Sequence, residues 1–588
     1  MCGINGVLSL KPIDLNSFNV SRDTLSHRGP DGFGTELLNK GKVALGHRRL
    51  SIIDLSHKGH QPMTNEESTI WLTYNGEVYN YLTLRRELLE AGHLFKSETD
   101  SEVIIHGYEE WGIERLLNRL NGMYAFALWD NNKKCLIVAR DRLGIKPLCY
   151  KQDADSFVFG SEIKSIISYT GKPNLNYQSI LDYLYYRHIP EDNSVWQGVK
   201  KLQPGNYMKI YLGDKIMSET KQYWALEINE VSLKERDIIE RADEILTNSV
   251  ISHMQADVDV GLLLSGGMDS TLIAQKCSSN NLRIKSHCIG FENFDQSEHL
   301  DARAIANYYG LEHSEEIIGK DSLDILDYLN HYFDDLYSYS TKIPYYLATS
   351  FNSELKVALA GDGGDEVFSG YRWHNEYYKQ NNAFESIVER IFKPKHETTG
   401  ILNWYAKWHT DNYDFNKLLN SEVFSLNCQK TKNWLHRKHL RTDLTPIKAI
   451  QWLDIHIFLR AALMRADTCS MANSVEVRVP FLDHELVQFM LSIPEKQYFK
   501  IVRKKYILSK ILEGKSPPLT FAKPKKGFSS PLKLILHKNL IIKQLLTQDS
   551  MLRKNGIIVE KSSEFMSTLN FNQIFSLWNL NSWLKVWN

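Results

Sequence analysis

In residues 1–210 the apolar positions fall in short β-type runs, among them 69–74, 124–129 and 136–139, and polar turns of Asn, Asp and Gly separate them. Runs of that length bounded by turn residues predict strands, and a mixed sheet packed by a few helices is expected. One helix is expected over 80–91, where Asn80 can cap and Leu82, Leu84, Leu88 and Leu89 form an apolar stripe. From residue 230 the texture changes to long helical patterns alternating with short apolar strands at 258–264, 286–290 and 356–360. Strand, Gly-rich turn and helix in succession predict a parallel α/β sheet with helices on its faces. The stretch 202–230, with Pro204-Gly205 and then an irregular charged run, is the expected junction. The chain therefore divides into domains 1–210 and 230–588, with no internal repeat or low-complexity tract.

Composition narrows the class without deciding it. The 588 residues are 43% hydrophobic and 24% charged, the balance of an ordinary globular protein. Lys+Arg and Asp+Glu are equal at 70 each, so no net field draws the molecule to nucleic acid or to an acidic membrane. The chain opens on no basic segment followed by an apolar run, and no stretch approaches the ~18 apolar residues of a membrane span. A cytoplasmic protein is expected. The seven cysteines form no CxxC pair and no metal-ligand spacing with histidine, which argues against a zinc site or a disulfide framework.

Cys2 stands out by position. It follows Met1, and a small residue there invites removal of the initiator, leaving a thiol beside its own α-amine. An α-amine has a reference pKa of about 7.7–8.0, so part of it is unprotonated near neutrality and can take the thiol proton. Behind Cys2 lie, in order, His27-Arg28-Gly29-Pro30-Asp31-Gly32, Arg48-Arg49-Leu50-Ser51-Ile52, Tyr74-Asn75-Gly76-Glu77-Val78-Tyr79-Asn80 and Asp141-Arg142-Leu143-Gly144-Ile145-Lys146-Pro147-Leu148. Singly, each has a structural reading: Asn75-Gly76 as a hairpin turn, Arg49 as a surface ion pair, His27 as a hydrogen-bonded core residue. Together they resemble class II glutamine amidotransferases, which are N-terminal-nucleophile hydrolases. The resemblance implies a sandwich fold with Cys2 as nucleophile, Asn75 and Gly76 as oxyanion hole, Arg49 on the glutamine carboxylate, and Glu77 and Asp100 on its ammonium.

A second constellation begins at Leu263-Leu264-Ser265-Gly266-Gly267-Met268-Asp269-Ser270, where a strand ends in a Gly-rich turn that opens a helix. Backbone N–H groups of such a turn can close around phosphate oxygens. No Lys follows the glycines as in a Walker A loop, which disfavours γ-phosphoryl transfer. The segment looks like the PP-motif of ATP pyrophosphatases. Ala360-Gly361-Asp362-Gly363-Gly364-Asp365-Glu366 follows the next strand, and the run 470–483, with Glu476, Arg478 and Asp483, resembles the asparagine synthetase family over nearly the whole chain. That resemblance implies an adenylating α/β domain with many helices, ATP as substrate and Mg²⁺ on Asp269 and Asp365. It places Ser265, Gly266, Gly267 and Ser270 on the pyrophosphate, and Leu263, Ile289, Ala360 and Gly361 around the adenosine. It places Lys525 at the α-phosphorus and Asp362 near the acyl-adenylate, with a tunnel carrying ammonia between the sites. It leaves room for a homodimer.

Phosphoribosylpyrophosphate amidotransferases and glucosamine-6-phosphate synthases share the Cys2 domain but lack the 265–270 loop. Departures from the family pattern fall at 334–341, Asp-Asp-Leu-Tyr-Ser-Tyr-Ser-Thr, at Arg465 in place of a common Lys, and at Asp362 where relatives carry Glu. The expected function is amidation of aspartate to asparagine. A hexuronate in surface-polysaccharide synthesis is the alternative acceptor, and a non-enzymatic nucleotide-binding relative is the third reading.

Overall fold

The computed structural model describes residues 2–319, 325–350, 355–382, 398–411, 413–428, 430, 432–501, 503–522, 531–532, 537–559 and 562–587. Its N-terminal half is built on two six-stranded sheets. One runs Val199–Lys201, Cys149–Gln152, Ser156–Gly160, Gly3–Ser9, Val43–Arg49, Gly32–Leu38 in spatial order; the other runs Ile216–Gln222, Asn206–Leu212, Cys135–Arg140, Gly122–Asp130, Ile70–Val78, Met63–Thr64. Every pairing in both is antiparallel, which replaces the expected mixed sheet.

Alternation along the strands divides the core into layers. Ala125, Ala127, Trp129, Leu136 and Val138 meet Ile4, Leu8, Val43 and Leu45 of the first sheet. Their neighbours Tyr124, Phe126, Leu128 and Ile137 face the other way, onto Leu84, Leu88, Val103 and Leu116 of the helices Tyr81–Glu90 and Glu102–Arg119. The result is a β-sandwich with helices outside it. Cys2 stands just before Gly3–Ser9, an inner strand of the first sheet.

Two expectations about local structure need correction. In the helix Tyr81–Glu90, Asn80 makes no side-chain cap, because its side chain bonds Arg119 O (2.9 Å) and Asn121 N (2.9 Å) instead. Leu82 and Leu89 are 56% and 49% exposed, so the stripe is Leu84 and Leu88 alone. The stretch 202–230 is not irregular throughout, since Asn206–Leu212 and Ile216–Gln222 form a hairpin that extends the second sheet.

The C-terminal half is built on a five-stranded parallel sheet, Glu312–Ile318, Lys285–Phe291, Val260–Leu263, Val357–Leu359, Glu476–Arg478 in spatial order, with helices around it. Among the described residues no helix is long and apolar enough to cross a membrane. The halves meet through buried charge. Arg28, fully buried, donates to Glu162 (2.8 Å), to both oxygens of Asp467 (2.8 and 3.3 Å) and, through Nε, to Cys2 O (3.1 Å). Lys356 pairs with Asp31 at 2.7 Å, and Ser474 Oγ donates to His27 O at 2.6 Å.

Removing one member of a buried ion network leaves the others desolvated without partners, typically at a loss of about 3–5 kcal/mol. Arg28→Ala is therefore expected to lower the unfolding free energy by about that much. Denaturant titration checks it, and a change below about 1 kcal/mol would refute the structural weight given to this residue.

Candidate active site

Cys2 sits where the first sheet meets the middle of the second. Its nitrogen donates to Asn75 Oδ1 at 2.8 Å. A nitrogen donor fixes the amide orientation, since the near atom must be the oxygen. Asn75 Nδ2 then points elsewhere, and among the described residues this buried donor has no hydrogen-bond partner. An orphan N–H beside a thiol is the kind of donor from which an oxyanion hole can be built. Asn75-Gly76 is no hairpin turn: both lie inside Ile70–Val78, paired with Ala125 and Tyr124. A Cβ on Gly76 would come within 2.2 Å of Met123 O, so the position admits only glycine.

One cavity is lined by Cys2, Arg49, Gly76, Glu77 and Asp100. The Arg49 guanidinium donates to Ser56 O (2.7 Å), Ile53 O (3.4 Å) and Asp54 O, and Gly59 gives it room, since a Cβ there would lie 2.1 Å from Nη2. Asp100 accepts from Tyr74 Oη (2.6 Å) and Val78 N (2.9 Å), yet burial pushes its carboxyl up to about 6. Burial likewise raises Glu77, opposed by Arg478 and reinforced by Asp100 and Glu476. The Cys2 thiol is also raised by burial.

The second site gathers at the C-terminal ends of adjacent parallel strands, where ligands of open α/β sheets bind. After Val260–Leu263 the chain turns through Ser265, Gly266 at φ +76° and Gly267 into the helix Met268–Ser279. Ser265 and Ser270 hydroxyls lie 3.2 Å apart across the turn. After Val357–Leu359 the chain passes Ala360 and Gly361, and a Cβ on Gly361 would meet Asp269 Cβ at 2.7 Å. The two loops are thus in contact. Ile289 is on the neighbouring strand Lys285–Phe291.

Profiles of two families match the chain: a glutamine amidotransferase domain over residues 1–224 and asparagine synthase over residues 241–585. The chain belongs to the asparagine synthase family. A glutamine-hydrolysing asparagine synthetase of Bacillus subtilis is 31% identical, over 91% of this chain and 87% of its own. A putative glutamine-hydrolysing asparagine synthetase of Mycobacterium tuberculosis is 31% identical, over 87% and 83%. Among solved structures, the B. subtilis glutamine phosphoribosylpyrophosphate amidotransferase aligns at a TM-score of 0.29 and 19% identity, over 53% of this chain and 65% of that one.

The residues that in this family's pattern fall on the metal fit a hard cation. Asp269 and Asp365 converge on one positive charge, the ammonium of Lys505, at 2.6 Å to both Asp269 oxygens and 2.9 Å to Asp365 Oδ1. Carboxylate pairs of this kind suit Mg²⁺. The convergent group His93, His106 and Glu109 belongs to the N-terminal half, and its imidazoles suit softer metals than magnesium. Lys505 itself escaped the sequence reading, because it stands in the basic run 503–505 that reads as a solvated face, whereas it is 6% exposed. Lys525 lies outside the described residues.

Asp362 is held by Arg465 (2.8 Å) and Tyr345 Oη (2.9 Å), and Arg465 also donates to Thr341 Oγ1 (3.2 Å). The unusual 334–341 segment is otherwise occupied in packing. Asp334 accepts from Lys164 N (2.8 Å), and Asp335 pairs with Lys201 (2.5 Å) and accepts from Val195 N (2.9 Å), all three in the N-terminal half. Tyr339 lies among Tyr337, His188 and Phe458.

Loss of a single oxyanion donor lowers kcat by about 10²–10³. Asn75→Ala is expected to lower the kcat of ammonia release from glutamine by that factor with little change in KM, measured by steady-state glutaminase kinetics. An equal rise in KM at constant kcat would place Asn75 in ground-state binding instead.

Proposed function

We propose that the chain hydrolyses glutamine at Cys2 and uses the ammonia to amidate a carboxylate activated by ATP, with aspartate the acceptor and asparagine the product. The observation that carries this reading is the orphan Asn75 Nδ2 beside Cys2, in a chain whose other half brings Asp269 and Asp365 onto one cation. Once Met1 is removed, the Cys2 α-amine takes the thiol proton, Sγ attacks the side-chain amide carbon, and the negative oxygen develops against Asn75 Nδ2. Collapse expels ammonia, and water cleaves the thioester to glutamate. In the other half, the acceptor carboxylate attacks the α-phosphorus and pyrophosphate leaves. Ammonia then displaces AMP from the acyl-adenylate. Mg²⁺ held by Asp269 and Asp365 would supply neutralising charge to the phosphates, while the helix at Met268 presents its N-terminal N–H groups to them.

A cavity lies between the halves, and charged groups such as Glu162, Lys201, Asp334 and Arg460 line it together with apolar ones. Ile145 and Leu148 line it on one side, Ala461, Met464 and Asp467 on the other. Asp467 is one ion pair from Arg28, which bonds Cys2 O.

For the acceptor, the Arg465–Asp362 pair offers a cation and an anion beside the second nucleotide loop, which suits a zwitterionic amino acid. The altered 334–341 segment weighs little against aspartate, since Asp334 and Asp335 serve contacts between the halves.

Two measurements test the reading. Cys2→Ala is expected to abolish glutamine hydrolysis while amidation from ammonium salt persists, and Asp269→Asn to stop acceptor-dependent pyrophosphate release while glutaminase activity persists. A folded Cys2→Ala protein lacking both activities would contradict the division of labour. Supplied with aspartate, ATP, Mg²⁺ and ammonia, the protein should form asparagine and AMP, identified by mass. Pyrophosphate release with a uronate and none with aspartate would transfer the assignment to the hexuronate acceptor.

A further inference from the structure

The cavity that holds Cys2, Arg49, Glu77 and Asp100 has one wall from the other half of the chain, and that wall is Glu476. Glu476 opens the strand Glu476–Arg478 of the parallel sheet and is fully buried. Two residues on, and so on the same face of the strand, Arg478 is fully buried as well. Its Nε donates to Glu476 Oε1 at 2.6 Å and its Nη2 to Glu77 Oε2 at 2.8 Å. Its remaining donors go to His253 O (2.8 Å) and Gln255 O (2.6 Å).

Three carboxylates, those of Glu77, Asp100 and Glu476, thus converge on this end of the cavity with one guanidinium among them. Arg49, the other cation of the cavity, is engaged by the carbonyls of Ile53, Asp54 and Ser56. A second observation points to a ligand: Glu77 is 2% exposed, and its Oε1 has no hydrogen-bond partner among the described residues. A buried carboxylate oxygen without a donor calls for a charged donor from the ligand.

We propose that Glu476 is a specificity-determining residue of the glutaminase site, a third carboxylate for the substrate's α-ammonium supplied by the synthetase half. Arg478 is the positioning residue that sets Glu77 and Glu476 at the spacing an ammonium needs. This rests on the glutaminase reading of Cys2. Its consequence is that the amidotransferase half alone holds an incomplete site: glutamine is recognised in full only when the strand Glu476–Arg478 is docked. The same strand passes to the nucleotide loop, because Arg478 O accepts from Ala360 N at 2.9 Å. One residue therefore touches the walls of both sites.

The test compares glutamine with 4-carbamoylbutanoate, which has the same amide and carboxylate but no α-amino group, in the full-length protein. Glu476→Gln removes the charge while keeping the shape. The ratio of kcat/KM for glutamine to that for the des-amino analogue is expected to fall about tenfold, the loss of one charge-assisted contact. The fall should come from glutamine KM, with the rate on the analogue nearly unchanged. A merely structural role would lower both substrates together and leave the ratio intact, and that outcome overturns the proposal. Thermal melting reports whether the variant folds. Should it not fold, Glu476→Asp keeps the charge and the Arg478 pair but withdraws the carboxylate by one methylene, and a smaller fall in the ratio is expected. An unchanged ratio in whichever variant folds rejects the assignment. If the unaltered protein releases no ammonia from glutamine, the glutaminase reading fails instead, and the two failures are told apart by that control.

Discussion

A guanidinium sealed from water must be ringed by oxygen atoms, and the ring around Arg478 is drawn from both halves of the molecule. Glu476 Oε1 and the carbonyls of His253 and Gln255 belong to the synthetase half, and Glu77 Oε2 to the amidotransferase half. The synthetase half supplies one carboxylate and two carbonyls, and the amidotransferase half completes the ring with Glu77. The arrangement fixes the register between the sandwich and the parallel sheet, and it does so beside the glutamine cavity rather than on a neutral face. Arg28 repeats the device nearby, with Glu162 in its own half and Asp467 in the other. Two buried arginines pointing in opposite directions across one interface hold it against both sliding and rotation.

Much of the fold was legible because short apolar runs bounded by turn residues are a local signal. Residues 124–129 and 136–139 are apolar throughout because both faces of their strands are packed, each on its own buried layer. The edge strand Ile216–Gln222 left no such trace. Only Ile216 in it is buried, so its other positions were free to be Ser, Glu, Thr and Lys, which read as loop. Asn80 failed as a cap for a related reason. Its side chain is drawn to the backbone at 119 and 121, a tertiary contact that spacing along the helix cannot foretell.

The candidate sites divide along the same line. Cys2, Arg49, Asn75, Glu77 and Asp100 stand within one domain and were found as a set. Asp269 and Asp365 were singled out by the resemblance of their Gly-rich turns to the family's nucleotide loops. Lys505, Glu476 and Arg478 were not assigned roles, since their partners lie far away in the chain: 236 residues from Lys505 to Asp269, and 401 from Arg478 to Glu77. A basic run reads as surface unless the acids that enclose it are known.

The departures at 334–341 show how a pattern difference can mislead about specificity. Read along the chain, the missing Pro and second Asp of the family's stretch, with Tyr339 where relatives place an acid, put the acceptor in doubt. In the fold, Lys164 N bonds Asp334 and Lys201 pairs with Asp335, so these carboxylates anchor the amidotransferase half. Burial pushes Asp334 up to about 7 even with Lys164 opposing it. Of the segment, Thr341 reaches toward the nucleotide loop through Arg465 to Asp362, and Tyr337 also faces Arg465. Beside the second nucleotide loop, Arg465 and Asp362 hold a fixed cation and anion 2.8 Å apart, the pair on which the proposed acceptor reading rests. An acceptor carrying only a carboxylate would engage the guanidinium and leave Asp362 deprived of its partner. Under the proposed amino-acid reading, the incoming zwitterion would replace both members of the pair at once.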